Sequence, residues 1–442
     1  MRHARHMARI HFGTDGVRGV AGEKLTADFA LNLGRAATEL SDVVAPRVLL
    51  IRDTRESGEM LEAALAAGVS AAGGTAWLGG VAPTPAAALA IGGYDLAVVI
   101  SASHNPYYDN GIKFFGPDGD KLSDAVEEAI ERQMEGGGAP ATTIGRVRAV
   151  GGLLDDYLGA LRARFGALDL SGLRVLLDCA NGATFVAAPA IFRELGAIVD
   201  VLADAPDGRN INAGCGSTHS AFLSKRMHGS GYDVGFAFDG DGDRLMAADR
   251  TGRVLDGDEL VALAAVHLRD RGRLPGNGVA MTVMTNFGFH RAMRDAGIRV
   301  ATTQVGDRYV LAALRERGYT LGGEQSGHII ELGFAPSGDG IASALLTLEA
   351  LAGRDLATSR VFEKLPQRLI NVPVGGAAAS VAQSRRVLAA IALGNGRLAD
   401  SGRILVRPSG TEPLIRVMAE APSSQQAAAI CEQIAAAVRA TA

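Results

Sequence analysis

Apolar residues in this chain come in short unbroken runs separated by stretches of helical character. Arg47–Ile51 (RVLLI) and Leu96–Ile100 (LAVVI) read as strands buried on both faces, and Ala76–Leu78 as a shorter one. Such continuous runs arise where helices cover both sides of a mainly parallel sheet. Between them Glu59–Ala72 has helical character and stops at Gly73-Gly74. The grammar restarts at Leu173–Leu177, with a helix over Ala187–Leu195 and strands at Ile198–Leu202 and Val234–Phe238. It restarts again at Gly278–Met284, with a helix over Arg291–Ala296 and a strand near Arg299–Thr303. The C-terminal stretch differs: strands near Arg368–Val374, Arg403–Val406 and Leu414–Ala419, then a closing helix over Ser424–Ala440. The expected class is α/β: three related α/β domains with mixed, mainly parallel sheets, plus a smaller C-terminal α+β domain around a central cleft. Boundaries are expected in the Gly-rich Gly136–Ala139, near Gly252 and near Pro366. These give domains 1–150, 151–253, 254–366 and 367–442. Ligands of open α/β sheets collect beyond the carboxyl ends of the strands, so the loops there carry the search for chemistry.

Composition narrows the class. Of 442 residues, 48% are hydrophobic and 21% charged. That supplies buried cores and excludes a disordered chain, a collagen or a small disulfide scaffold. The net charge of −4 gives no basic field for nucleic acid, so an anionic ligand needs local positive clusters. Cys179, Cys215 and Cys431 are far apart and form no CxxC, which fits a reduced, cytoplasmic setting without a structural zinc site. The basic, histidine-containing start (Met1–Arg9) has no apolar signal core behind it and reads as a disordered leader. Ala63–Tyr94 carries no charge, but Gly73, Gly74, Gly79, Gly80, Pro83 and Pro85 break it. It reads as helix, strand, turn and helix inside a domain, not as a membrane span.

Four loops carry candidate chemistry. Ser101-Ala102-Ser103-His104-Asn105-Pro106 follows the LAVVI run, where small residues let a serine hydroxyl project as a nucleophile or phosphate carrier. Asn105-Pro106 fixes a turn, and Asn110-Gly111 reads as a second turn before Lys113. Asp239-Gly240-Asp241-Gly242-Asp243-Arg244 places three hard oxygen donors at alternating positions, which suits magnesium or calcium. It is not an EF-hand, because Arg244 stands where that loop needs glycine and Arg250 where it needs glutamate. Gly322-Gly323-Glu324-Gln325-Ser326-Gly327-His328 offers donors and acceptors for sugar hydroxyls on a closely approaching backbone. Arg407-Pro408-Ser409-Gly410-Thr411-Glu412-Pro413, with Arg416, makes a phosphate cradle. Each loop alone is also consistent with an ordinary polar turn. Together they point to phosphoryl transfer on a phosphosugar. A haloacid-dehalogenase-type phosphatase with Asp239 as nucleophile, or a non-catalytic sugar-phosphate binder, would use parts of this set.

The same motifs, in this order from Phe12-Gly13-Thr14-Asp15-Gly16-Val17-Arg18-Gly19 to the RPSGTEP loop, resemble the α-D-phosphohexomutase superfamily over nearly the whole chain. Asn210-Ile211-Asn212, Cys215-Gly216-Ser217-Thr218-His219, Gln325 and Val305-Gly306-Asp307-Arg308-Tyr309-Val310 are similar to its bacterial phosphoglucosamine mutase branch. A phosphomannomutase or phosphoglucomutase would share every catalytic loop. Ile51-Arg52-Asp53 departs from relatives that often carry glycine and lysine before the aspartate. The resemblance implies that Ser103 is phosphorylated and that, with Asp239, Asp241 and Asp243, it binds one Mg2+ per active site. It implies that Glu324, Ser326, Gly306 and Asp307 meet the sugar. Arg407, Ser409, Gly410, Thr411 and Arg416 would grip the non-reacting phosphate. Lys113, Arg18 and His328 would lie near the reacting oxygens, with Lys113 a base if neighbouring cations depress its pKa, or all three only holding charge. His104 would hydrogen-bond the phosphoserine or simply stabilise its loop, and Arg244 would orient the metal loop and reach phosphates. The implied reaction interconverts glucosamine 6-phosphate and glucosamine 1-phosphate through glucosamine 1,6-bisphosphate, supplying UDP-N-acetylglucosamine and cell-wall synthesis. The implied setting is a cytoplasmic homodimer, with a small phosphosugar as partner and neither nucleic acid nor membrane.

Overall fold

The computed structural model describes residues 12–13, 15–136, 143–375, 378–409 and 412–441. They divide into two compact units. The larger runs through Met284 and resumes over Ile298–Arg360; the smaller comprises Thr285–Gly297 and the chain from Val361. The N-terminal leader lies outside the described residues.

Three sheets build the larger unit. The first holds β1 (Val17–Val20), β2 (Arg47–Arg52), β3 (Thr75–Val81), β4 (Leu96–Ile100), β5 (Asp109–Phe115) and β6 (Arg146–Ala149), in the order β1-β5-β4-β2-β3-β6. Strands β4, β2, β3 and β6 run parallel; β5 pairs antiparallel with β4, and β1 antiparallel with β5. The second holds β7 (Arg174–Asp178), β8 (Ile198–Leu202), β9 (Val234–Phe238), β10 (Leu245–Asp249) and β11 (Val254–Leu255), in the order β11-β10-β9-β7-β8. Its β9-β7-β8 core is parallel, and β10 and β11 fold back antiparallel. The third holds β12 (Gly278–Thr282), β13 (Arg299–Thr303), β14 (Leu321–Gly323) and β15 (Ile329–Glu331), with β13, β12 and β14 parallel and β15 antiparallel. The mainly parallel α/β expectation holds, and its reason is visible: Val48, Leu49, Leu50 and Ile51 are all fully buried, so both faces of β2 are covered.

Helix packing on the first sheet depends on two missing side chains. Helices Ala27–Glu39 and Ser57–Ala71 approach so closely that a Cβ on Gly68 would sit 2.0 Å from the Leu31 carbonyl oxygen, and one on Gly34 2.6 Å from that of Leu65. The charge-free stretch resolves into Ser57–Ala71, β3 and the helix Thr84–Ala90. No helix among the described residues is long and apolar enough to cross a membrane.

The smaller unit is an antiparallel sheet of β16 (Gln367–Pro373), β17 (Arg403–Pro408) and β18 (Leu414–Glu420), with β18 central, and it includes helices Arg385–Leu398 and Ser424–Arg439. The helix expected at Arg291–Ala296 runs over Phe287–Asp295 and belongs to this unit. There Glu420 accepts a 2.8 Å hydrogen bond from the Phe287 N–H, and Phe289 meets Phe362 edge-on.

One local reading changes. Asn110-Gly111 is not a turn but the interior of β5. Gly111 is needed there for proximity, since a Cβ would lie 2.4 Å from the Ser101 carbonyl oxygen. Gly252 sits in the turn between β10 and β11, so the second sheet continues to Leu255.

Candidate active site

The serine loop leaves the end of β4 and is anchored from below. Ser103 adopts φ 51°, a left-handed conformation that costs a non-glycine residue roughly 1 kcal/mol or more, so its surroundings must impose it. Ser101 Oγ accepts from the Ser103 N–H at 2.9 Å and donates to Asp53 at 2.6 Å. Arg55 is fully buried under the loop. Its Nε donates to Asp53 (2.8 Å), Nη2 to the carbonyls of Ser103 (3.0 Å) and Asn105 (2.8 Å), and Nη1 to those of Asp109 (2.8 Å) and Pro106. Every donor of the planar fork is used. Asn212 Nδ2 reaches the same Ser103 and Asn105 carbonyls at 2.9 and 3.1 Å. Held this way, Ser103 Oγ donates a hydrogen bond to Asp239 and lies 3.2 Å from His104 Nδ1. Burial, then the charges of Arg244 and Arg18, depress the His104 pKa to about 4, so the ring is neutral at pH 7.

The acidic loop follows β9. Asp239, Asp241 and Asp243 are buried and present carboxylate oxygens within 4.8 Å of one another. Asp239 accepts from Ser103 Oγ and, at 3.1 Å, from the Arg244 N–H. Asp241 accepts from Thr84 Oγ1 and Lys113 Nζ, both at 2.9 Å. One oxygen of Asp241 and one of Asp243 are buried without a hydrogen-bond partner among the described residues. Burial and the charges of Asp243 and Asp241 push the Asp239 carboxyl well above its usual range. Unsatisfied buried oxygens beside a strained carboxyl fit a hard divalent cation, which would meet both needs.

Lys113 reverses one expectation. It stands on β5 level with Val99 of β4 and is buried. Burial disfavours its charge, but Asp241 at 2.9 Å, Asp15 at 3.3 Å and Asp243 at 3.9 Å outweigh that and hold its pKa above the usual lysine value. A depressed lysine acting as base is therefore not what this site builds; Lys113 is a fixed positive charge. Asp15 is shared among Lys113, Lys121 and Arg18, and Lys121 also pairs with Asp307.

His328 faces Asp243 through Nδ1 at 3.5 Å and lies 3.8 Å from Asp307 through Nε2. Burial opposes its imidazolium, but Asp243, then Asp307 and Glu324, outweigh it and raise the His328 pKa. The Gly338 N–H lies 3.1 Å from Nε2.

A cleft of about 510 Å³ gathers Asp15, Arg18, Asp243, Arg244, Gly306, Asp307, Glu324 and His328. Gly306 begins the helix Asp307–Arg317, and its N–H donates to Glu324 at 2.9 Å. Arg18 Nε, Arg244 Nε and Ser326 Oγ are buried without a hydrogen-bond partner among the described residues, Arg244 Nε lying 3.8 Å from Asp243. Arg244 also bridges backbone-to-backbone with His328, which ties the acidic loop to the Gly322–His328 loop.

The remaining candidates lie in the smaller unit. Arg407 of β17 and Arg416 of β18 stand directly opposite in register. Like charges so placed repel, and burial followed by Arg416 lowers the Arg407 pKa. An anion would relieve both. The Ser409 N–H donates to the Leu414 carbonyl at 2.9 Å, and Ser409 Oγ accepts from the Glu412 N–H at 3.3 Å. Gly410 and Thr411 lie outside the described residues. Cys179 and Cys215 are buried and unpaired, with the Cys215 thiol pushed up to about 12 by burial and then Asp178.

Motif reading passed over Arg55, Asn212, Thr84, Asp15 and Lys121 as site residues. Asp53-x-Arg55 behind a strand gave a local signal, a carboxylate able to compensate a buried guanidinium. Thr84 and Lys121 gave none, because their partners are distant in sequence.

Comparison with known proteins then places the chain among relatives. Models of phosphoglucomutase/phosphomannomutase alpha/beta/alpha domains I, II and III match residues 9–140, 155–252 and 256–369, and that of the C-terminal domain matches 369–437. A phosphoglucosamine mutase of Desulforudis audaxviator is 49% identical over 96% of this chain and 96% of its own. A phosphoglucomutase/phosphomannomutase family protein of Burkholderia thailandensis superimposes with a TM-score of 0.81 at 26% identity, covering 97% of each chain. The N-acetylphosphoglucosamine mutase of Aspergillus fumigatus, solved with GlcNAc-6P and magnesium, shares the fold at a TM-score of 0.67 and 19% identity, covering 99% of this chain and 97% of its own.

Proposed function

The chain belongs to the phosphoglucomutase/phosphomannomutase family and is a phosphohexomutase enzyme, and from that premise we propose that Ser103 carries the phosphoryl group between O1 and O6 of glucosamine phosphate. The observation that carries the reading is the contact of Ser103 Oγ with Asp239 beside buried oxygens of Asp241 and Asp243 that accept no hydrogen bond from the described residues. Asp239, Asp241 and Asp243, with phosphorylated Ser103, would hold one magnesium ion. Its chemistry is charge neutralisation of the transferring phosphoryl group.

The chain's own residues do the rest. Arg55 and the Ser101–Asp53 pair fix where Ser103 Oγ points. Phosphorylated Ser103 gives its phosphoryl group to O1 of glucosamine 6-phosphate, breaking the Ser103 O–P bond as the O1–P bond forms. Glucosamine 1,6-bisphosphate turns over in the site. Ser103 Oγ then takes the phosphoryl group from O6, and glucosamine 1-phosphate leaves. Lys113 supplies fixed positive charge, and neutral His104 is placed to share the hydroxyl proton of dephosphorylated Ser103. Arg18, Arg244, Glu324, Ser326, Gly306, Asp307 and His328 would meet the sugar and the phosphates. Arg407, Arg416 and the Ser409–Thr411 loop would take the phosphate that is not reacting.

The amino-sugar assignment rests on the Desulforudis relative and on the branch motifs; glucose or mannose phosphate is the second reading. We expect turnover of glucosamine 6-phosphate to exceed that of glucose and mannose 6-phosphates at least tenfold in kcat/KM, which is about 1.4 kcal/mol of discrimination. The reverse order, measured with magnesium and a trace of each bisphosphate, would keep the mechanism and overturn the substrate. A phosphatase reading with Asp239 as nucleophile is disfavoured because both its oxygens are already engaged. The unpaired buried cysteines support a reduced, cytoplasmic setting. The homodimer follows from the family alone.

A further inference from the structure

Asn210–Asn212 entered as a sequence motif without chemistry, and the structure gives it some. Asn212 lies between β8 and β9, is 5% exposed and itself adopts φ 57°. Its N–H donates to the Ala180 carbonyl at 2.9 Å, which ties it to the loop after β7. Its amide then crosses to the serine loop and donates to the Ser103 and Asn105 carbonyls. Arg55 takes the same two oxygens from the serine loop's own sheet. Gly240 of the metal loop closes the third side: a Cβ there would lie 2.5 Å from the Ser103 oxygen and 2.9 Å from Asn212 Nδ2. One carbonyl thus joins the nucleophile loop, the metal loop and the Asn212 loop.

We propose that Asn212 is a positioning residue: its Nδ2 bridge from the second sheet's loops to the Ser103 carbonyl sets the nucleophile loop against the metal loop for phosphoryl transfer. Arg55 can hold the loop to its own sheet, but it cannot fix its distance from Asp239. Asn212 can, because its backbone is fastened on the metal-loop side. In-line transfer tolerates little displacement, and an error near 1 Å can cost about a hundredfold in rate. The inference rests on Ser103 as phosphate carrier.

Two variants separate the hydrogen bond from the fold. Asn212→Gly keeps the left-handed backbone and removes the amide. Asn212→Asp keeps the size but sets an acceptor against two carbonyls. Each is compared with wild type for kcat and KM on glucosamine 6-phosphate. Single-turnover phosphorylation of the dephosphorylated enzyme by glucosamine 1,6-bisphosphate and thermal melting complete the set. The expected result is a fall of roughly tenfold or more in kcat and in the phosphorylation rate. The loss is larger for Asp than for Gly, while KM stays within about threefold because the sugar is not touched. Wild-type phosphorylation rates in either folded variant, or a raised KM with unchanged kcat, would overturn the proposal. Failure of both variants to fold would overturn it too, by making the amide a requirement of the fold. A wild-type enzyme that takes no phosphate from the bisphosphate would instead remove the reading of Ser103 itself.

Discussion

Ser103→Ala is expected to lose mutase turnover by about 10³-fold or more while remaining folded. The loss is large because no other hydroxyl among the described residues is held against Asp239; Ser101, two residues earlier, spends its Oγ on Asp53 and the Ser103 N–H. The fold survives because the left-handed backbone at position 103 is imposed by Arg55 and Asn212 on the carbonyl, not by the side chain. Alanine meets the same backbone cost as serine there. The checks are coupled-assay turnover and a melting curve on the purified variant. Full turnover in Ser103→Ala would return the nucleophile to Asp239.

The second large effect concerns the acidic loop. Chelation of divalent cations is expected to abolish turnover reversibly, with magnesium restoring it. Asp241→Asn is expected to lower turnover by about 10²-fold or more without full recovery at high magnesium. The two perturbations differ in stability. Asp241 is the nearest counter-charge of buried Lys113, and removing one partner of a buried pair costs up to about 3–5 kcal/mol. Asp15 at 3.3 Å keeps part of the compensation, so the cost should fall below that range. The melting temperature of Asp241→Asn therefore drops, and chelated wild type keeps these ion pairs. Equal melting of Asp241→Asn and wild type would mean that Lys113 does not depend on this carboxylate.

What was legible in the sequence follows from how each feature is encoded. Strands β4 and β9 coincide with the apolar runs because both sheet faces are covered and hydrophobicity is unbroken, whereas β8 and β13, at the edges of their sheets, are half-exposed and carry polar residues. Strand β5 was not legible, since Asn110-Gly111 carries the composition of a turn while serving as a close contact to Ser101. The helix at Phe287–Asp295 was legible as a helix but not in its allegiance, which Glu420 and Phe362 decide from far along the chain. In the site, the serine and aspartate loops were readable because the chemistry is contiguous in sequence. The state of Lys113 was not, because Asp15, Asp241 and Asp243 converge on it from separate loops. Arg55 and Asn212 act on backbone carbonyls, which leave no trace in side-chain motifs.

The most decisive single measurement is the intact mass of dephosphorylated wild-type enzyme after brief exposure to glucosamine 1,6-bisphosphate and magnesium, with peptide mapping of any phosphate gained. One phosphoryl group on Ser103, chased off again by glucosamine 6-phosphate, is the predicted result. No phosphate taken up, or a phosphate mapped to Asp239, would contradict the phosphoserine mechanism.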